Sequence, residues 1–319
     1  ILYDVHFEKL IRKIKDAVDI ARKVSLTDVP VLLLGETGTG KEIFAQSIHY
    51  ASERRKNNFV AINCSAFAKD LLESEMFGYV AGAFTGATKN KKGLFEEAHE
   101  GTLFLDEIGE LDLSLQSKFL RVLESNNFIK AGDTKPTQVD VRIIAASNRD
   151  LEAEIEKGNF REDLLHRLNV IPIVVPPLRE RTEDIPILVD RFTTDISIKH
   201  KKPIVKFSDD AIRILQNQSW TGNVRELRNI VERIIIIVGK KEISAKDIEF
   251  MFAGNQQSVD ELLDMSNSFQ EFKEKAERIF ILKQLRANDW NISKTAEILE
   301  IQRSHLYNKM KKYEIEKDE

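Results

Sequence analysis

The segment from residue 31 to residue 42 constrains this chain more than any other. Val31-Leu-Leu-Leu34 is a short, wholly apolar run that passes without a break into Gly35-Glu-Thr-Gly-Thr-Gly-Lys41, and helix-forming residues resume at Glu42. Apolar residues on both faces suit a strand buried in a parallel sheet. Glycines at 35, 38 and 40 let the backbone turn so that successive N–H groups converge on one point. The helix N-terminus that follows adds partial positive charge, and Lys41 adds a full one. Strand, G-x-x-x-x-G-K loop and helix in this order form a phosphate-binding loop. The candidate binding residues are Gly35, Glu36, Thr37, Gly38, Thr39, Gly40, Lys41 and Glu42. The general pattern has Ser or Thr after the lysine as a magnesium ligand, and Glu42 departs from it.

The surrounding pattern fits such a loop. Phe59–Asn63, Thr102–Leu105 and Val141–Ala146 are further apolar runs with helix-like segments between them. Residues 7–24 place Leu10, Ile14, Ala17, Val18 and Ala21 at helical spacing. Apolar strands alternating with helices predict an α/β fold, a doubly wound parallel sheet. Beyond Pro176-Pro177 the strand runs stop. Residues 184–200, 208–217, 223–238 and 245–252 read as helices, 253–268 as a polar linker, and 269–315 as a last helical unit. The expected domains are therefore 1–180 (nucleotide-binding α/β), 181–252 (all-helical lid), 253–268 (linker) and 269–319 (small all-α).

Composition narrows the setting. Cys64 is the single cysteine, so no disulfide framework exists within one chain; a reducing cytoplasm is the expected location and a small buried hydrophobe the expected role. No apolar run approaches the roughly 18 residues that span a bilayer, so no membrane partner is expected. With 48 basic against 52 acidic residues, the net charge is −4. Contact with nucleic acid must then come from a local patch.

A second constellation completes the nucleotide site. The run from Gly101 ends in Asp106-Glu107. At the carboxyl end of a parallel strand these side chains emerge into the ligand crevice. Asp106 is suited to hold magnesium, and Glu107 to polarise an attacking water. ATP and Mg2+ are thus the expected cofactors. Asn148 ends the run from Val141; it either positions that water and senses the terminal phosphate or is an ordinary turn residue.

The most distinctive stretch is Gly82-Ala83-Phe84-Thr85-Gly86-Ala87. Together with Gly35–Glu42 it resembles the AAA+ domain of bacterial enhancer-binding proteins, the activators of sigma-54 RNA polymerase. The resemblance runs from about residue 7 to about residue 315. It implies that residues 82–87 tip a loop that grips the sigma factor, that residues 126–138 form a flanking hairpin-like loop, and that Glu42 is the usual residue after Lys41. It implies that Asn63 hydrogen-bonds the catalytic Glu107 and links nucleotide state to the loop. Arg161 and Arg167 become arginine fingers reaching the ATP of a neighbouring subunit. Val175–Arg181 becomes the junction to the lid, and Trp220–Asn229 a second sensor in which Arg225 faces the nucleotide. The partners so implied are sigma-54 RNA polymerase and further copies of the chain in a homo-oligomeric ring, a hexamer built from dimers. Val80 departs from the family, where an acidic residue is common.

Near the end of the chain, Ala296, Leu299, Ile301 and Leu306 have the spacing of a helix-turn-helix core. Residues 292–299 are the expected first helix, Glu300-Ile301 the turn and 302–312 the recognition helix. Gln302, Arg303, Ser304 and His305 open that helix, where base edges are met. Asn308, Lys309, Lys311 and Lys312 are candidates for phosphates, with Tyr307 beside them. Lys294, Arg303, Lys309, Lys311 and Lys312 outnumber Glu297 and Glu300 in a chain that is otherwise net negative. On the residues alone, a structural hairpin with a solvated basic face remains open. The resemblance to the Fis-type terminal domain of the same activators implies binding to double-stranded DNA at an upstream, palindromic site. The preceding helix, with Phe272, Ala276, Ile279, Phe280 and Leu282, is expected to pair with its twin. The reading as a whole is an ATP-hydrolysing activator that opens sigma-54 promoter complexes. Its rivals are a repressor that keeps the ATPase fold and a ring ATPase with another client.

Overall fold

The computed structural model describes residues 12–238, 240–253, 269–288, 290–299, 301–313 and 315. The chain divides into two compact units, 1–248 and 249–319, which are described separately.

The first unit is built on a five-stranded sheet of β1 (Val31–Leu34), β2 (Phe59–Asn63), β5 (Thr102–Asp106), β8 (Arg142–Ser147) and β9 (Ile171–Val174) in the order β2-β5-β8-β1-β9. All four pairings are parallel. Successive side chains of a strand point to opposite faces, and the sheet therefore builds two cores. Leu32, Leu103, Leu105, Ile143 and Ala145 pack with Phe77, Phe95, Phe119 and Leu164 on one face. These come from α3 (Lys69–Phe77), α4 (Leu94–Glu97), α5 (Leu113–Ser125) and α7 (Glu162–Leu168), and Leu151 of α6 (Leu151–Glu156) joins them. Val31, Leu33, Phe104, Ile144 and Ala146 pack on the other face with Ile14 and Val18 of α1 (Arg12–Ser25) and Phe44 and Ile48 of α2 (Lys41–Tyr50). Helices on both faces of a parallel sheet confirm the doubly wound expectation.

Four of the five strands follow from the sequence runs; β9 does not. Its Pro172 has no N–H to give to a ladder, and proline in a strand signals an edge or a loop. The structure resolves this by placing β9 at the sheet edge, where among the described residues it pairs only with β1.

Because all strands are parallel, their carboxyl ends share one edge. Leu34 is in register with Ser147, and Asn63 with Asp106. The phosphate loop after β1, Asn148 after β8, and Asp106-Glu107 at the end of β5 therefore meet without further design. Two short hairpins project from the sheet domain: β3 (Gly78–Tyr79) with β4 (Lys91–Lys92), and β6 (Asn127–Ile129) with β7 (Pro136–Gln138).

The lid comprises α8 (Ile185–His200), α9 (Asp209–Gln216), α10 (Asn223–Val238) and α11 (Ala245–Ala253), the last running across the division between the two units. It also contains a parallel pair, β10 (Lys206–Phe207) with β11 (Glu242–Ile243), so it is not wholly helical. Two residues per strand are too few to leave a period in the sequence.

In the second unit the helices Phe269–Ala287, Ile292–Ile298 and Arg303–Lys312 enclose Ile281, Leu285, Ala296, Leu306 and Ile315. Asn291 caps the middle helix by accepting from Lys294 N at 3.1 Å. Most of the expected linker (254–268), the turn residue Glu300 and the side chains of Phe272 and Ala276 lie outside the described residues.

Candidate functional site

The phosphate loop holds its shape through its carbonyls. Lys41 Nζ donates to Gly35 O at 2.7 Å and to Glu36 O at 3.1 Å. Thr39 Oγ1 also donates to Glu36 O, at 2.8 Å. Gly40, at φ 105°, precedes α2 without a side-chain cap, so the first N–H groups of the helix stay available. Gly35 has no substitute: at φ 151° an added Cβ would stand 2.5 Å from Val175 O. Glu42 is exposed on the first turn and accepts from Gln46 Nε2 at 3.2 Å.

Lys41 is buried, which pushes its ammonium pKa down, while Asp106 and Glu107 pull it back up. Burial likewise raises the Asp106 carboxyl; Lys41 opposes this and Glu107 reinforces it. Two carboxylates and a lysine thus share one partly desolvated pocket, an arrangement that stores electrostatic tension in the free protein. Glu107 sits at φ 56°, and its N–H donates to Asp106 Oδ1 at 3.1 Å. Asn148 Nδ2 donates to Thr37 Oγ1 at 3.0 Å, which ties the end of β8 to the loop. Arg225 is exposed on α10 beside Gly38.

Asn63 stands next to Asp106 but does not bond Glu107. Its Oδ1 accepts from Ser65 N and Ser65 Oγ, both at 2.8 Å, and caps the short turn Cys64–Ala66. A capping carbonyl satisfied by two local donors is not free to reach across the strand ends. Cys64 is buried, and burial first, then Asp106 and Glu107, push its thiol to about 12.

Arg161 is engaged within its own chain. It forks onto Asp163 at 3.0 and 2.6 Å, reaches Ser117 Oγ at 3.2 Å, and its backbone N–H donates to Gln116 Oε1 at 2.8 Å. Arg167 is exposed in the last turn of α7 and makes no ion pair among the described residues.

From Asn63 the chain runs through α3 and β3 to Gly82–Ala87. Gly82 and Gly86 have φ of 86° and 100° and open space around them. The bonds of this loop are local: Gly82 N to Ala87 O at 2.8 Å and Ala87 N to Phe84 O at 3.0 Å. Phe84 is 50% exposed and touches Tyr79 edge-on at 4.9 Å between centroids; Thr85 is exposed, Ala83 half-buried and Ala87 buried. The β6–β7 hairpin flanks it, with Val80 N donating to Ala131 O at 3.1 Å and Gly132 packed against Ala83.

In the second unit, Gln302 occupies the N-cap position of the helix Arg303–Lys312 without a side-chain capping bond, and Arg303, Ser304, His305, Tyr307 and Asn308 are exposed along it. Lys309 and Lys312 face the neighbouring helix instead. Lys309 pairs with Glu277, which also accepts from Tyr313 Oη, and Lys312 pairs with Glu274 at 2.9 Å.

Residues 9–174 match the family described as the sigma-54 interaction domain, just over half of the chain. The chain belongs to that family. Residues 179–264 match the AAA+ ATPase lid domain, and residues 273–313 the Fis family of bacterial regulatory proteins. The sigma-54 family chain is similar to the regulatory protein AtoC of Escherichia coli, 42% identical over 297 residues, which are 92% of this chain and 64% of AtoC. It is similar also to the Nif-specific regulatory protein of Azotobacter vinelandii, 52% identical over 219 residues, 69% of this chain and 42% of that protein. It therefore spans less than two thirds of either relative. Among solved structures it is similar to NtrX from Brucella abortus in complex with ATP, at a TM-score of 0.70 and 34% identity over 96% of this chain and 69% of that one. The architecture expected from the sequence, an AAA+ parallel-sheet domain, a helical lid and a Fis-type helix-turn-helix, is that of this family.

Three residues that the sequence reading passed over belong to the site of this sigma-54 family chain. Arg179 forks onto Glu36 at 2.5 and 2.7 Å, holding that carboxyl at about 2 with help from Asn223. Asn223 Nδ2 reaches Glu36 Oε2 and Thr37 O, both at 3.1 Å. Arg181 Nη2 donates to Thr39 O at 2.8 Å. The junction and sensor segments containing them were legible, but nothing in their spacing marked these side chains.

Proposed function

We propose that the chain hydrolyses ATP within a homo-oligomeric ring and spends the energy in moving the 82–87 loop against sigma-54 RNA polymerase, opening the promoter complex. The observation that carries this reading is Phe84: a large apolar side chain, half exposed between two unencumbered glycines, at the end of a path that starts beside the catalytic carboxylates.

Each expected residue has a task in this reading. Lys41 and the N–H groups of residues 35–42 bind the phosphates. Glu107 accepts the proton of the attacking water, and Asn148 orients that water. Arg225 faces the nucleotide from the lid. Arg161 and Arg167 act on the neighbouring subunit's site; Arg161 must first exchange Asp163 for its new partner. Such fingers contribute roughly 10³–10⁵ in rate in other phosphoryl-transfer systems. Asn63 must likewise leave Ser65 to bond Glu107, which makes that exchange a candidate for the step linking turnover to the loop.

Among the described residues no three His, Cys, Asp or Glu side chains gather around one point. At the crevice the described residues supply the Asp106-Glu107 pair, at the end of β5. That fits Mg2+, which is typically held by one or two carboxylates, with phosphate oxygens and water completing the shell. Asp106 would hold the ion, which neutralises developing charge on the phosphates.

The terminal unit is proposed to bind double-stranded DNA upstream of the promoter through Gln302, Arg303, Ser304 and His305, with Tyr307 and Asn308 alongside. Lys309 and Lys312 reach phosphates only by giving up their glutamates. Among the described residues no helix is long and apolar enough to cross a membrane, and a cytoplasmic location suits these partners.

The test is to mix the protein with purified sigma-54, ADP and a metal fluoride that mimics the phosphoryl group in transfer, and to measure co-migration. A complex that depends on the fluoride is expected. No complex from an assembled, ATP-hydrolysing ring would overturn the sigma-54 reading and favour a repressor or another remodelling client.

A further inference from the structure

The lid holds the outer face of the phosphate loop by three consecutive carbonyls. Thr37 O accepts from Asn223 Nδ2 at 3.1 Å, Gly38 O from Val224 N at 3.0 Å, and Thr39 O from Arg181 Nη2 at 2.8 Å. In a trans peptide the carbonyl of one residue and the N–H of the next point in opposite directions. Fixing the carbonyls of 37, 38 and 39 on the lid side therefore turns the N–H groups of 38, 39 and 40 to the opposite side; Thr39 N donates there to Glu36 O at 3.4 Å, which leaves the N–H groups of Gly38 and Gly40 as the donors for a phosphate.

Asn223 is the centre of this arrangement. It is fully buried and sits at φ 55°, a left-handed conformation that Asn tolerates better than most residues. Its Oδ1 accepts from Leu178 N at 2.7 Å, at the junction, while Nδ2 serves Thr37 O and Glu36 Oε2 in the loop. Glu36, placed among the phosphate binders from sequence, turns its carboxylate away from the crevice to Arg179 and Asn223. Gly38 admits the lid closely: a Cβ there would collide with Gly222 O.

We infer that Asn223 is a positioning residue for nucleotide binding, making the inward aim of the loop N–H groups depend on where the lid stands. It does not touch the nucleotide; it sets the groups that do. A shift of the lid then reaches the phosphates through the loop backbone, by a route separate from Arg225. The inference rests on the nucleotide-binding reading of the site.

The test is a cycle of Asn223→Asp and Glu36→Gln in the full chain. N223D keeps size and backbone preference but removes both amide donors and sets two carboxylates face to face. It is expected to weaken fluorescently labelled ATP and ADP about tenfold, the scale of one hydrogen bond to a charged group. KM for ATP should rise by a similar factor with kcat within about threefold, since the loop grips ground and transition states alike. E36Q restores a donor between positions 36 and 223, and the double variant should recover most of the lost affinity. A purely structural role would lower the melting temperature of N223D without this rescue of affinity.

If N223D does not fold, Asn223→Gly keeps the positive φ without strain and should show the same loss of affinity. Wild-type affinity in a folded N223D or N223G, or a double variant no better than N223D, overturns the inference. Absence of nucleotide binding by the wild-type protein would instead overturn the reading on which it rests.

Discussion

The loops at 35–41 and 82–87 are both rich in glycine, and they are held in opposite ways. The first is anchored by groups remote in sequence: Arg179, Arg181, Asn223 and Val224 bond its side chain or carbonyls, and Val175 O and Gly222 O crowd Gly35 and Gly38, though not Gly40. The second bonds mainly to itself, and its two glycines have nothing within 4 Å of an added Cβ. Remote anchors make a backbone rigid, because moving it breaks contacts with several elements at once. Local bonds travel with the loop and leave its position to its stem. The same residue type thus serves close approach in one place and free swing in the other.

The sharpest way to break this contrast is to disable each loop's task. Glu107→Ala should lower ATP turnover by about 10²–10⁴-fold and leave nucleotide binding intact. Thr85→Ala should do the reverse, keeping turnover within about twofold and losing fluoride-dependent capture of sigma-54. Turnover assays and co-migration check the pair; loss of both activities in T85A would mean that the loop is not separable from the crevice.

Glycine replacement gives a smaller and more direct comparison. Gly38→Ala meets both a positive φ and Gly222 O, and should cost about 2–4 kcal/mol in denaturant unfolding. Gly86→Ala meets only its φ of 100°, and should cost about 1–2 kcal/mol. Equal costs would remove the distinction between crowded and open glycines.

The carboxylate side of the crevice predicts a pH effect. Folding raises the Asp106 carboxyl, mainly by burial. The folded state then binds its proton more tightly than the unfolded chain does, so stability is lost as pH rises from the ordinary carboxylate range through the raised value. Asp106→Asn should therefore raise the melting temperature of the nucleotide-free protein at pH 7 by a few degrees. At about pH 3, where both states are mostly protonated, it should change little. An unchanged or lower melting temperature at pH 7 would show that the crevice carries no such tension.

The smallest expected effect lies in the terminal unit, where charge rather than glycine is restrained. Glu274→Gln with Glu277→Gln releases Lys312 and Lys309. The slope of log affinity against log salt on a random-sequence duplex should then steepen by up to about 0.9 for each lysine that finds a phosphate. An unchanged slope would mean that these lysines already bind phosphate in the wild-type complex.

The parts legible in the sequence were those written in contiguous residues. Val31–Leu34 and Thr102–Asp106 announce buried strands, and parallel pairing brings their carboxyl ends together, so Lys41, Asp106, Glu107 and Asn148 could be gathered from the sequence alone. β9 was hidden by Pro172, which edge position excuses. Glu36 lies 143 residues from Arg179 and 187 from Asn223. No local pattern can encode a partner at that distance. The partners of Asn63, Lys309 and Lys312 were hidden for another reason: sequence gives a side chain's type, while its direction depends on which neighbour is nearest.

Pro172 has a consequence beyond hiding a strand. β9 is an open edge of the sheet, and an open edge is a template on which another chain can polymerise. In the proposed ring many copies of that edge would be held at high local concentration. A proline in the outermost strand withholds one donor from any would-be added strand, so the crowding that such an assembly would bring is less able to turn into fibril growth.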